Sequence, residues 1–133
     1  GASRADVVIS DYRVDYPFVL NADVLAVFFQ EAYMMFRDRV EPDGLILIDD
    51  LLVRPEGSHP NLRAVPATRV AEELGNKMAA NVVMLGYLVA STNIVSAESV
   101  EKALHSTLKP SILDMNLEAL ETGMRIAKEN AAA

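Results

Sequence analysis

The stretch ADVLAVFFQEAYMMFRDRVEPDGLILIDD (residues 22–50) holds two apolar runs on either side of a segment with helical spacing. The first run, ADVLAVFF (22–29), is almost continuously apolar, and so is LILIDD (45–50) up to its two carboxylates. Runs of this kind are typical of strands covered on both faces. Between them, QEAYMMFRDRV (30–40) repeats apolar residues at the spacing of a helix. The stretch therefore predicts strand–helix–strand, the building unit of a parallel sheet.

The neighbouring segments extend this pattern. ADVVIS (5–10) predicts another strand, DYRVDYP (11–17) a turn or a short extended arm, and LRAVPA (62–67) a short strand. Pro42 and Gly44 are expected to break the helix that precedes the second apolar run. Because no helix separates the first two predicted strands, the topology would be easier to understand with a further N-terminal unit.

The second half of the chain predicts four helices. Gly75 stands where a helix would stop, Asn76 and Ser96 stand where helices would be capped, and Pro110 separates the last two helices. We therefore expect a single α/β domain over residues 1–133, a Rossmann-like sandwich with a mostly parallel sheet and a helical C-terminal half.

Composition and charge narrow the function. The 133 residues carry a net charge of −7, which argues against nucleic acid and against an anionic membrane surface as partners. There is no cysteine, which excludes disulfides and thiolate ligation of zinc or of iron–sulfur clusters. No stretch resembles a signal peptide, so the expected location is cytoplasmic.

Polar residues at predicted strand ends are the first candidates for chemistry. Asp49 and Asp50 end a buried strand, and ligands of open α/β sheets gather at such ends. A metal-binding or general-base role competes there with the simpler interpretation of a solvated strand end. Gln30 and Glu31 begin a helix after another strand, where a side chain could bind a ligand or support the first helical turn.

The two histidines do not predict a metal site. His59 lies in the turn-rich loop RPEGSHPN (54–61), which we expect to be mobile, and His105 lies on a predicted helix far away in sequence. Zinc needs three or four converging ligands, so His59 is most simply a loop residue. No motif for a nucleophile with its base, or for a Gly-rich phosphate loop, is found.

Two pairs of polar residues are harder to interpret. Asn76 and Asn81 stand among apolar helix residues, where a buried amide must find a hydrogen-bond partner in the domain, a ligand or another subunit. Gly86 on the same helix is explained by close packing of a neighbouring element. Ser3 and Arg4 precede the first predicted strand, and Arg4 is either a surface charge or a ligand for a carboxylate or phosphate.

Four segments together resemble a known family. They are GASRADVVISD (1–11), DYP (15–17), QEAY (30–33) and PATRVAEELGNKMAANVVMLGYL (66–88). The chain is similar, from Gly1 to about Met124, to the gamma subunit of 2-oxoacid:ferredoxin oxidoreductases. The resemblance is greatest to the 2-oxoglutarate and branched-chain 2-oxoacid members, followed by the pyruvate and indolepyruvate members.

The resemblance implies a role inside a multi-subunit enzyme. Such a complex decarboxylates a 2-oxo acid on thiamine diphosphate, passes electrons through iron–sulfur clusters to ferredoxin, and delivers the acyl group to coenzyme A. It implies alpha, beta and delta partner subunits that hold the thiamine and the clusters, with no cofactor, metal or catalytic residue on this chain. Ser3, Arg4, Asn76 and Asn81 would be cofactor-binding residues that face the cleft between subunits.

The resemblance also implies that these residues are the C-terminal portion of a gamma-subunit domain. Family members carry an earlier strand, a Gly-rich turn and a helix before the GASR segment. Two alternatives from other classes stay open. One is a non-enzymatic domain that binds a small ligand or acts as a scaffold. The other is an independent α/β enzyme that uses Asp49, Asp50 and Gln30 at the strand ends.

Overall fold

A parallel three-stranded sheet lies at the centre of the computed structural model, which describes residues 3–16 and 18–133. The strands are β1 (Ala22–Val27), β2 (Val40–Asp49) and β3 (Leu62–Val65), and they lie in that order. Helix α1 (Gln30–Phe36) connects β1 to β2. The strand–helix–strand prediction and the α/β class are therefore confirmed. Gly1, Ala2 and Pro17 lie outside the described residues, so parts of the GASR and DYP segments do too.

The C-terminal half is helical, as predicted. The helices are α2 (Ala67–Glu73), α3 (Ala80–Thr92), α4 (Ala97–Thr107) and α5 (Pro110–Ala132), with a 3₁₀ turn at Lys77–Ala79 before α3. Within the part of the chain that the structure describes, none of the helices has the length and apolar character needed to cross a membrane.

Three of the predicted helix boundaries are confirmed by their local geometry. Gly75 follows α2 with φ = +89°, a left-handed conformation that favours glycine. The Asn76 side chain accepts a hydrogen bond from the Met78 N–H at 2.9 Å, and Ser96 accepts one from the Ser99 N–H at 3.1 Å. Each bond satisfies an N–H group that the helical turn itself leaves without a partner.

The sheet is covered on both faces, which explains the unbroken apolar run in β2. Leu47 packs with α2, α3 and α5 on one face, while Ile46 and Ile48 pack with Tyr33 of α1 on the other. Successive strand residues point to opposite faces, so a strand between two helical layers needs apolar residues at every position.

The expectation that Pro42 and Gly44 follow a helix and break it is wrong. A 3₁₀ turn ends at Arg39, β2 begins at Val40, and both residues lie inside the strand. There the register jumps, because Ala22 pairs with Val40 and the next pair is Val24 with Leu45. A bulge is a place where a sheet tolerates proline, and the bulge also explains Gly44, whose Cβ would lie 2.7 Å from Val40 Cγ1.

The predicted strand at 5–10 is also wrong. This segment has no strand pairing among the described residues, and the Val7 and Ile9 side chains are 74% and 62% exposed. A strand exists only where a neighbour completes its hydrogen bonds. Residues 3–9 and β1 do not pair with each other, and both line one cavity of about 1060 Å³.

Candidate functional site

Asp49, at the carboxyl end of β2, is a fully buried structural carboxylate. One of its oxygens accepts hydrogen bonds from the Leu51 and Leu52 N–H groups, each at 3.1 Å. The other oxygen accepts from the Thr68 N–H in the first turn of α2, at 2.8 Å. The solvated interpretation of this residue is wrong, and its oxygens join the end of β2 to the start of α2.

Asp50 lies beside Asp49 and is held by two arginines. Its carboxylate forms an ion pair with Arg69, which raises the pKa of the Arg69 guanidinium through their hydrogen bond. Arg54 Nη1 donates to the Asp50 backbone oxygen at 3.1 Å. The second carboxylate oxygen, Oδ1, is buried and has no hydrogen-bond partner among the described residues. Asp49 therefore has both carboxylate oxygens bound within the domain, whereas Asp50 has only one.

Gln30, at the start of α1, binds the backbone of the loop at 54–61 and does not cap its own helix. Its side-chain oxygen accepts from the Arg54 N–H at 2.7 Å, and its amide donates to the Arg54 oxygen at 3.0 Å. The Tyr33 hydroxyl and the Arg37 guanidinium both donate hydrogen bonds to the backbone oxygen of Glu56, at 3.1 and 2.9 Å. The start of α1 therefore holds the first residues of the loop at 54–61.

The loop at 54–61 is held at its far end as well. The Asn61 side-chain amide donates a hydrogen bond to the backbone oxygen of Asp43 at 2.9 Å. The backbone oxygen of Asn61 accepts a hydrogen bond from the Ile46 N–H at 3.0 Å. The loop is therefore hydrogen-bonded to the domain at both ends, and its expected mobility stays a prediction. The loop carries the chain across the α1 face between two parallel strands.

Arg4 is held by its neighbour in sequence. Its Nε and Nη2 groups donate to the two oxygens of Asp6 at 2.7 and 2.6 Å, and its guanidinium lies 4.7 Å from the centre of the Phe36 ring. Asp6 also accepts from the Val19 N–H at 3.2 Å. The bond from Arg4, followed by that from Val19, lowers the pKa of the Asp6 carboxyl.

The structure does not bring the four predicted site residues to one place. Ser3 and Arg4 line the cavity beside β1, and Asn76 and Asn81 do not. Asn81 is exposed at the start of α3, so the argument that its amide is buried and must find a partner is wrong. Whether any of the four contacts a cofactor stays a prediction.

Metal-binding groups do not gather in the part of the chain described. No three histidine, aspartate or glutamate side chains among those residues converge on a point that could hold a metal ion. His59 is a loop residue, as expected, and its Nδ1 accepts from the Asn61 N–H at 3.3 Å.

Sequence reasoning missed the most conspicuous surface of the domain. We call residues 3–16 and 18–21 the N-terminal arm. The arm carries a series of exposed large apolar side chains. Phe29, just before α1, and Met35, within α1, are also exposed. The exposed apolar residues of the arm are Val7, Val8, Ile9, Tyr12, Val14, Tyr16, Phe18 and Leu20. Exposed large apolar side chains in this number make the arm a candidate interaction surface, and the alternation of charged and apolar residues at 11–16 was the available signal.

Comparison with known proteins identifies the class. Residues 1–126 match the family described as "Pyruvate ferredoxin/flavodoxin oxidoreductase". The 2-oxoglutarate synthase subunit KorC of Methanocaldococcus jannaschii is 39% identical over 97% of this chain and 71% of its own length. The ketoisovalerate oxidoreductase subunit VorA of Methanothermobacter thermautotrophicus (strain Delta H) is 38% identical, and the chain spans 28% of it. The chain therefore belongs to the pyruvate ferredoxin/flavodoxin oxidoreductase family.

Solved structures agree with this assignment. A keto/oxoacid ferredoxin oxidoreductase gamma subunit from Geobacter sulfurreducens PCA matches with a TM-score of 0.76 and 29% identity, over 80% of this chain and 64% of that chain. The 2-oxoglutarate:ferredoxin oxidoreductase from Magnetococcus marinus matches with a TM-score of 0.70 and 27% identity, over 80% and 20%. The resemblance found in the sequence is thus confirmed: the relatives are subunits of 2-oxoacid:ferredoxin oxidoreductases, which are enzymes.

Proposed function

We propose that this chain serves as the gamma subunit of an oxidoreductase that converts 2-oxoglutarate and coenzyme A to an acyl-CoA and carbon dioxide, and passes the two electrons released to ferredoxin. The observation that carries this proposal is the 39% identity to a 2-oxoglutarate synthase subunit over nearly the whole chain. The structure of the Magnetococcus marinus relative has 2-oxoglutarate, coenzyme A and succinyl-CoA bound, which supports the same substrate class.

The chemistry of this reaction would be supplied by the partner subunits. We expect alpha, beta and delta chains to hold thiamine diphosphate and the iron–sulfur clusters, and the complex to work in the cytoplasm. The 133 residues contain no cysteine, so thiolate ligands for a cluster would come from other chains. When bound in the complex, thiamine diphosphate supplies the electron sink for decarboxylation.

The domain itself is suited to packing against other subunits. The polar groups at the carboxyl ends of its strands are used inside the domain: Asp49 binds three backbone N–H groups, and Gln30 binds the backbone of Arg54. The N-terminal arm presents apolar side chains to solvent instead. Burying such a surface against a partner is favourable because apolar area is removed from water.

Arg4 would contribute one donor to a ligand at the cleft between subunits. Its Nε and Nη2 groups bind Asp6, and Nη1 is the donor that Asp6 does not engage. Ser3, beside it, would offer a further polar group there. Asn76 and Asn81 do not line the same cavity, so they would act at another part of the cleft. Under this proposal, Arg4→Ala raises the KM for coenzyme A or the 2-oxo acid several-fold in the assembled enzyme. Arg13→Ala, which removes an exposed arginine paired with Asp15, does not.

The proposal is tested by affinity purification of the tagged subunit from its source. We expect it to carry thiamine-binding and cluster-bearing chains and to reduce ferredoxin only when 2-oxoglutarate and coenzyme A are both present. Turnover with 2-ketoisovalerate, pyruvate or indolepyruvate in place of 2-oxoglutarate would overturn the substrate assignment. A subunit that purifies without such chains would overturn the assembly and favour the ligand-binding or scaffold alternative.

A matched pair of variants tests the arm as the packing surface. Phe18→Glu places a charge on an apolar side chain of the arm that is 60% exposed, and we expect at least a tenfold loss of complex at fixed concentration. Ile112→Glu places the same charge on a 38% exposed residue of α5 and should leave assembly unchanged. Equal effects of both variants, or no effect of either, would overturn this use of the arm.

A further inference from the structure

Strand β3 forms one edge of the sheet, and only part of its backbone is available on the open side. Among the described residues it pairs with β2 only. The backbone oxygens of Asn61 and Val65 accept hydrogen bonds of 3.0 Å from N–H groups at positions 46 and 50, in β2 and directly after it. Backbone groups of successive strand residues point to alternate sides, so Leu62 and Ala64 direct theirs away from β2.

The open side of β3 ends at a proline. Pro66 is the next outward position after Ala64, and it has no N–H to donate. Its oxygen accepts a hydrogen bond from the Val70 N–H at 3.0 Å and is therefore used by α2. A strand laid along this edge would meet the outward backbone groups of two residues, Leu62 and Ala64.

Arg63 stands between these two residues, and its side chain covers one of the outward groups. Its Nη1 donates to the Leu62 backbone oxygen at 3.2 Å, and the residue is exposed. No ion pair in the described part of the chain includes Arg63, so a carboxylate does not neutralise its charge. We propose that Arg63 prevents the edge of β3 from pairing with a second copy of this chain.

Sheet edges are prone to such pairing because their backbone groups lack partners, and charged side chains are a usual means of preventing it. Arg63 would act in two ways. Its bond to the Leu62 oxygen occupies an acceptor that a second copy would need. Its charge lies at the centre of the only stretch of β3 that a second copy could use.

The register of a pair of β3 strands shows why the charge matters. Two copies that pair edge to edge about a twofold axis run antiparallel. Both outward residues are used when Leu62 of one copy pairs with Ala64 of the other, and this register places Arg63 directly opposite Arg63. In that non-hydrogen-bonded position the two Cα atoms are about 4.5 Å apart. Like charges placed opposite each other destabilise the pair.

The neighbouring registers give no way around this repulsion. A register that pairs Leu62 with Leu62 brings Ala64 opposite Pro60 of the other copy. The register that pairs Ala64 with Ala64 brings Leu62 opposite Pro66. Neither proline has an N–H, so each of these registers keeps a single complete hydrogen-bonded pair. The register that uses the whole edge is therefore the one that Arg63 opposes.

Removal of Arg63 tests the proposal in solution. Arg63→Thr removes the charge and the bond to the Leu62 oxygen, and threonine is common in strands. We expect the variant to self-associate about tenfold more tightly than the native chain in sedimentation equilibrium, because the repulsion between opposed arginines is gone. Lys102→Thr is the matched control, since it removes an exposed positive charge from α4, and it should associate as the native chain does.

Amide hydrogen exchange locates the contact. In Arg63→Thr the Leu62 and Ala64 N–H groups should exchange about tenfold more slowly as the concentration is raised, because they enter the ladder with the other copy. In the native chain their exchange should not depend on concentration. The Ile46 N–H, bonded to Asn61 within the sheet, is the internal control and should be independent of concentration in both proteins.

A proline at position 64 should restore the native behaviour. Arg63→Thr combined with Ala64→Pro removes the outward N–H of position 64 and leaves the bonds to β2 in place, because that N–H faces away from β2. The double variant should therefore associate no more tightly than the native chain. Circular dichroism checks that it is folded, and the exchange measurement on Arg63→Thr decides the question if it is not.

The other outcomes contradict the proposal. Arg63→Thr that associates no more tightly than the native chain would show that the edge does not need this residue. An equal gain in Lys102→Thr would assign the effect to net charge. Tighter association without slower exchange at Leu62 and Ala64, or a folded double variant that stays associated, would place the contact on another surface. None of these results bears on the proposed function, which the affinity purification tests separately.

Discussion

Gly86 on α3 and Gly123 on α5 lie at one crossing, each against the backbone of the other helix. A Cβ at Gly86 would lie less than 3.0 Å from the carbonyl oxygen of Leu120. A Cβ at Gly123 would lie less than 3.0 Å from the carbonyl oxygen of Val83. The two helices therefore pack with backbone against backbone, and α5 holds α3 on the face of the sheet that contains Leu47.

The crossing of α3 and α5 predicts an unusual response to alanine. In an exposed helix, replacing glycine by alanine stabilises by about 1 kcal/mol. Here Gly86→Ala and Gly123→Ala should each lower the free energy of unfolding by about 1–3 kcal/mol, because the helices must move apart. Urea unfolding measures this. Glu121→Ala, at an exposed position of α5, is the control and should change the free energy of unfolding by less than about 0.5 kcal/mol. Stabilisation by either helix substitution would contradict the close packing.

The buried position of Asp49 predicts that its replacement lowers the stability of the domain rather than removing a catalytic group. Asp49→Ala removes a fully buried carboxylate, leaves three backbone N–H groups without their acceptor, and should lower the free energy of unfolding by about 2–4 kcal/mol. Asp43→Ala, at an exposed position of the β2 bulge, should change it by less than about 0.5 kcal/mol. Thermal unfolding distinguishes the two. Asp49→Ala with unchanged stability and an inactive complex would instead support a catalytic carboxylate.

The bond between Arg4 and Asp6 predicts release of the arm in acid. The pKa of Asp6 is lowered in the folded chain, first by Arg4 and then by Val19, so the contact stabilises the arm above about pH 4. This contribution is lost as the pH falls through the lowered pKa of the folded state. The NMR shift of the Val19 amide should follow that titration in the native chain and be insensitive to pH between 2 and 6 in Asp6→Asn. Asp15→Asn, which removes an exposed partner of Arg13, should leave the Val19 titration as it is.

Asn81 predicts a separation of stability from assembly. Because its side chain is exposed, Asn81→Leu should change the free energy of unfolding of the isolated chain by less than about 0.5 kcal/mol. If Asn81 faces the cleft between subunits, activity of the reconstituted complex should fall several-fold. Asn76→Ala is the contrast, since losing its bond to the Met78 N–H costs about 1 kcal/mol in the isolated chain. A large loss of stability for Asn81→Leu would show a structural role instead.

The fold could be predicted from the sequence where local pattern and tertiary environment agree. The apolar runs at 22–29 and 45–50, the caps at Asn76 and Ser96, and the stop at Gly75 all have local causes, and the structure confirms them. The strand expected at 5–10 failed because a strand depends on a neighbour, which no local pattern reveals. The expectation that Pro42 and Gly44 end a helix failed for a similar reason, because a bulge in β2 accommodates residues that would otherwise end an element.

The candidate site was less predictable, because side-chain partners come from distant parts of the chain. Asp49 and Gln30 were correctly placed at strand ends, yet Asp49 binds the start of α2 and Gln30 binds a backbone 24 residues away. The family, in contrast, could be recognised from the sequence alone, because residues 66–88 form a long segment that resembles the family at many consecutive positions.

The α/β class, the order of β1, α1, β2 and the later helices, and the family all follow from the sequence alone. Apolar periodicity and capping chemistry act over a few residues, so they can be read along the chain. Three other features emerge only from the folded chain: Asp49 is buried, Arg4 binds Asp6 over Phe36, and Ser3 and Arg4 line a cavity beside β1. Those features depend on which surfaces meet in space, and burial and hydrogen bonding are set by that meeting.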